Sequence, residues 1–116
     1  MKPTTVGGQG PAIEALYRIL NQFPYLPAAD ITAETMMPRQ LSPGVSIHVH
    51  GSLADFESWR EALGLDTATV EWRENRTNLR PYEILAGEGM FAGVPVTLRG
   101  IAPLAPAPVA PVAAAV

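Results

Sequence analysis

The chain has no cysteine. That excludes disulfides, Cys-ligated zinc, iron–sulfur clusters and thiol catalysis. Aromatic residues make up only 7% of the sequence, so a core must be built mainly from Val, Ile, Leu, Ala and Met. Charge is sparse at 16%, and the net charge is −3, so no overall basic field draws in nucleic acid or an anionic membrane. Lys2 is the only lysine, and the other basic side chains are arginines. No apolar run reaches the roughly 18 residues of a transmembrane helix without a proline. The first residues, MKPTTVGGQGP, lack the apolar segment of a signal peptide, and a cytoplasmic location is expected.

What is present suits one domain: 116 residues that are 47% hydrophobic. Residues 1–10 are small, polar and glycine-rich and are expected to be disordered. Residues 102–116, APLAPAPVAPVAAAV, form a proline/alanine tail that is also expected to be disordered, with polyproline II as its local conformation. The folded part is expected to be 11–101.

In PAIEALYRILNQF, Pro11 suits a first helical turn. Ile13, Leu16, Tyr17 and Leu20 form a stripe at i, i+3, i+4, i+7, and Glu14 and Arg18 form an i,i+4 pair. DITAETMM alternates modestly and is read as a strand, PRQLSPG as a turn. VSIHVH alternates cleanly: Val45, Ile47 and Val49 point one way, Ser46, His48 and His50 the other. SLADFESWREALGL has a serine N-cap, a stripe of Leu53, Phe56, Trp59 and Leu63, and a Gly64-Leu65 stop. TATVEWREN is read as a strand with Ala68, Val70 and Trp72 on one face. YEILAGEGMF and VPVTLRG form a hairpin about Ala92-Gly93. Pro95 donates no backbone hydrogen bond, so the last strand is expected at or near a sheet edge.

The expected fold is therefore α+β: a two-layer sandwich in the order α-β-β-α-β-β-β, with two helices on one face of a mainly antiparallel sheet of four or five strands. The other face is left polar.

His48 and His50 are the only histidines. An H-x-H pair on a strand can chelate zinc or iron if a third ligand and a shielded open position exist. Glu71 is the one carboxylate expected on the same face, beside the cations Arg73 and Arg99. The trio is thus a weak metal candidate, and the histidines are read as surface groups. Ser46 is near His48, but no acid is positioned to orient the imidazole as a triad requires. GEGMFAG lacks a phosphate-loop pattern. Arg73, Arg76, Arg80 and Arg99 gather around the last strands as a possible contact surface. No aromatic side chain alternates with them to stack bases, which argues against single-stranded nucleic acid.

The helix SLADFESWREALGL after VSIHVH, and the segment FAGVPVTLRG, resemble small accessory proteins of actinobacterial phages, plasmids and integrative elements. The resemblance spans about residues 12–100. It implies an accessory role in a mobile element and carries over no site residue. The expected function is that of a non-enzymatic interaction or regulatory module. It would act through its polar sheet face or an edge strand, without cofactor, on a protein partner or a second copy of itself. A metal-dependent or small-ligand enzyme using the His48/His50 face is the alternative, and phosphate or nucleic-acid binding by the arginines comes third.

Overall fold

The computed structural model describes residues 5–77 and 79–104. In chain order the elements are α1 (Gly10–Gln22), β1 (Asp30–Glu34), β2 (Gly44–His50), α2 (Leu53–Leu63), β3 (Glu71–Asn75), β4 (Tyr82–Phe91) and β5 (Val94–Pro103). The strands make one open five-stranded sheet in the order β1-β2-β5-β4-β3. β2 and β5 run parallel, and every other neighbouring pair is antiparallel. β3 therefore runs in the same direction as β2, and the β2–α2–β3 unit crosses over β5 and β4. Both helices lie on one side of the sheet, α1 against β1 and β2, α2 against β5 and β4. The α+β two-layer arrangement and its element order are those expected from the sequence.

The core lies between the helices and the sheet. Val45, Ile47 and Val49 of β2 and Val96 and Leu98 of β5 meet Ala15 and Ile19 of α1 and Phe56, Trp59 and Leu63 of α2. The strand residues that point away from the helices form the open face, as period-2 alternation requires.

α2 behaves as its sequence dictates. The Ser52 hydroxyl accepts from the Asp55 amide at 3.2 Å. Gly64 takes the left-handed conformation that ends the helix, and the Leu65 amide reaches back to the Arg60 carbonyl at 3.1 Å. Leu53, expected in the buried stripe, is the first residue of the helix and is exposed instead.

Several expectations need correction. α1 buries Ala12, Ala15 and Ile19 and leaves Ile13, Tyr17 and Leu20 exposed, Tyr17 by 66%. The sequence carries two overlapping stripes, 12/15/16/19 and 13/16/17/20, each at i, i+3, i+4, i+7. The first wins because its alanines, both fully buried, let the helix lie close on β1 and β2. Thr67–Thr69 is a 3-10 turn rather than the start of a strand, and Trp72 is 54% exposed. Asp66 causes the turn, since its carboxylate accepts from the Ala68 amide at 2.9 Å.

β5 lies in the middle of the sheet, not at its edge. Pro95 is tolerated there because of its place in the hairpin. Ala92 and Gly93, both at positive φ, form a two-residue turn that makes Phe91 and Val94 the hydrogen-bonded pair. Pro95 is the next residue, so its nitrogen points away from β4, towards the start of the pairing with β2. Residues 5–10, expected to be disordered, form a 3-10 turn (Val6–Gln9) that Thr5 caps and that runs into α1. At the other end β5 continues to Pro103, and the Leu104 amide donates to the Pro81 carbonyl at 3.0 Å. The domain thus extends past residue 101. The rest of the expected tail, 105–116, and residues 1–4 lie outside the described residues. No described helix is long and apolar enough to cross a membrane.

Candidate functional site

The open face is laid out by strand register. One row across the sheet is Thr32, Ser46, Thr97 and Glu88. The next is Asp30, His48, Arg99, Ala86 and Glu71. A third is His50, Ile101, Ile84 and Arg73. A fourth is Asn75, Tyr82 and Pro103, so the face is polar with a narrow aliphatic strip and, against expectation, carries the Tyr82 ring two residues along β4 from Ile84, the neighbour of Arg73.

One end of the face is built up into a wall by the segment between β1 and β2. Met37 is buried over Gly44, where a Cβ would come within 2.4 Å of its Cγ. The Met37 amide donates to the Ser42 carbonyl at 2.6 Å, and the Leu41 amide donates to Met37's carbonyl at 2.8 Å. Pinned in this way, the segment turns Pro38, Arg39 and Gln40 towards the strands. The result is a cleft of about 430 Å³ whose lining includes Arg39, Thr69, Glu71, Arg73, Glu88, Thr97 and Arg99. Arg39 pairs with Glu88, and Arg73 lies 3.8 Å from Glu71. Arg99, in the centre of the face, has no carboxylate partner among the described residues.

The four arginines expected to act together are split. Arg73 and Arg99 lie in the cleft. Arg76 is held by Glu74 at 3.1 Å beyond the end of β3, and Arg80 stands in the loop that follows. Arg39, which sequence reasoning passed over, takes their place. It carried no signal, because a loop residue has no periodicity and its wall position depends on Met37 meeting Gly44.

His48 and His50 do lie on the open face, half-buried and exposed respectively. Glu71 does not join them. It sits three strands from His48, about 14 Å at the usual interstrand spacing. Arg99 stands directly opposite His48, and a guanidinium beside it opposes cation binding. The nearby carboxylate is instead Asp30 of β1, whose Oδ2 is 3.1 Å from His50 Nε2. The carboxylate expected beside the imidazoles was Glu71, and strand register supplies Asp30 in its place. It is also the wrong acid for a Ser46–His48 triad, since it engages His50. Among the described residues, no three His, Asp or Glu side chains converge as a metal-binding group.

The arrangement offers a shallow cleft, a central arginine without a carboxylate partner among the described residues, two flanking arginines matched with glutamates, and threonine hydroxyls between them. Comparison of the chain with protein-family models, with curated proteins and with solved structures finds no match.

Proposed function

We propose that this chain is a small non-enzymatic interaction module whose open sheet face binds a protein partner through an acidic segment seated in the Arg39–Arg73–Arg99 cleft. The observation that carries the reading is the one-sided sheet. Both helices cover the same face, and on the other a wall segment and three arginines frame a cleft with Arg99 unmatched at its centre. A charged donor without a partner gains more from an incoming carboxylate than one already paired. The groups on the face stand one per strand in rows, which suits recognition of an extended surface better than chemistry at one atom. The accessory role in a mobile element that the sequence resemblance implies, and a cytoplasmic location, belong to the same proposal.

Site-specific photocrosslinking in the cells of origin tests it. A crosslinker at Thr97, in the cleft, is expected to trap a discrete protein partner, and one at Ser58, on the outer side of α2, is not. Arg39→Glu with Arg99→Glu is expected to cut the Thr97 adduct at least tenfold. Equal adducts from both positions, or none from Thr97, overturn the reading. Adducts that contain nucleic acid would transfer the face to the phosphate-binding alternative.

A further inference from the structure

We propose that β3 is a self-pairing edge: two copies of the chain join antiparallel about a two-fold axis at Trp72, merging their sheets into one of ten strands. β3 ends the sheet, with β4 on one side of it and no strand on the other among the described residues. An uncovered edge is a template for another strand. Which strand it accepts is decided by the side chains brought opposite one another.

A two-fold axis perpendicular to the sheet places each residue opposite one that shares its face, so the axis must pass through a residue. Of the registers centred on residues 71 to 74, three set a charged group against itself: Glu71, Arg73 or Glu74 on its own copy. The register centred on Trp72 alone avoids this. It sets Glu71 opposite Arg73 of the second copy, and Arg73 opposite Glu71 of the second copy, both on the open face. On the helix side it stacks the two Trp72 rings and brings Val70, which has extended backbone, into the pairing.

The Trp72 ring is suited to this place. It is half-exposed at the rim of the apolar layer, opposite Leu85 in β4, and is oriented by its Nε1 donating to Glu83 Oε2 at 3.0 Å. Arg73 and Glu71, loosely paired with each other at 3.8 Å, keep 80% and 65% of their side-chain surface exposed, so each can also reach its counterpart across the axis. The opposite edge of the sheet does not offer the same match. Full overlap of β1 with its own copy sets Asp30 against Glu34.

The dimer has a consequence for the open face. Glu71 and Arg73 belong to the cleft lining, so pairing at β3 places the two clefts beside each other on one continuous surface. A five-residue edge buries much less than the ~1,600 Å² of a standard interface, so the association depends on concentration.

Sedimentation equilibrium of the full chain over a wide concentration range is the test. The apparent mass is expected to rise from one chain towards two. The emission of Trp72 should shift to the blue with it, Trp59 being already buried. Arg73→Glu and Glu71→Arg, each alone, place like charges across the axis and are expected to hold the chain monomeric. The double reversal Glu71→Arg with Arg73→Glu restores the complementarity and is expected to restore the dimer. Thermal melts of the monomeric variants control for folding. A monomer at every concentration, a dimer indifferent to the single reversals, or a double reversal that stays monomeric would overturn the proposal.

Discussion

At Gly100 the sheet has no room for a side chain. A Cβ built there meets Phe56 Cδ2 at 2.8 Å and Phe56 Cβ at 3.0 Å. Phe56 rests on the bare backbone of β5, which lets α2 settle close to the sheet. Gly100→Ala must push the ring outward or bend the strand. Overpacking of this kind costs about 1–3 kcal/mol, and urea unfolding of the variant is expected to show a loss of that size. The sequence gives no hint of this contact, since a glycine in TLRGIAP reads equally well as the end of a strand. Ala92 shows the reverse. The sequence does point to a two-residue turn at Ala92-Gly93, and both residues are found at positive φ.

At the scale of elements, α2 illustrates how far local signals reach. Its cap, its stripe and its glycine stop are all local, and all are found where expected apart from Leu53. Its outer side adds an interaction on which pH acts. Arg60 donates to Glu57 from Nε at 2.8 Å and continues to the Leu65 carbonyl at 2.7 Å, tying the end of the helix to the chain that leaves it. The hydrogen bond from Arg60 holds the Glu57 carboxyl below its ordinary value. The folded chain thus binds the Glu57 proton less tightly than the unfolded chain does. The pair's contribution to stability is fully present at neutral pH and is lost as the pH falls below the ordinary carboxylate range. Glu57→Gln is expected to be less stable than the parent chain at pH 7, and the gap should narrow towards pH 3. Denaturant melts at the two pH values check this; a gap independent of pH would refute it.

α1 marks the limit of such reasoning. A helix was legible over its whole length, and its Glu14–Arg18 pair is present at 3.3 Å. Which face it buries was not legible, because two stripes offset by one residue satisfy the same spacing. Tertiary packing chose the one with alanines. β5 marks the same limit for strands. Its alternation was readable, but its central position depends on which neighbours close around it.

At the scale of the whole molecule, the open face exists because both helices settle on one side. The cleft exists because Met37 folds across Gly44. Gly44→Ala brings a Cβ within 2.4 Å of Met37 Cγ and 2.5 Å of the Pro95 carbonyl oxygen. The Met37 side chain can yield by swinging away, and the Pro95 carbonyl only by a small shift of β2 against β5. The substitution is expected to expel Met37 and move Arg39 away from Glu88, with a cost of about 1–3 kcal/mol. Amide spectra should show the change spreading through residues 36–43 and the cleft while α2 stays unaffected. Changes confined to residue 44 would mean that Met37 does not hold the wall.

The sequence by itself determined the class of the fold, the positions of its elements and the outward aim of His48 and His50, because helical and strand periodicities are written in neighbouring residues. Only the tertiary structure decided which residues stand beside them. It put Asp30 rather than Glu71 by the imidazoles, Arg39 rather than Arg76 or Arg80 in the cleft, and β3 rather than β5 at the edge. The physical reason is that strand order and register bring together residues far apart in the chain, and no local pattern records that choice.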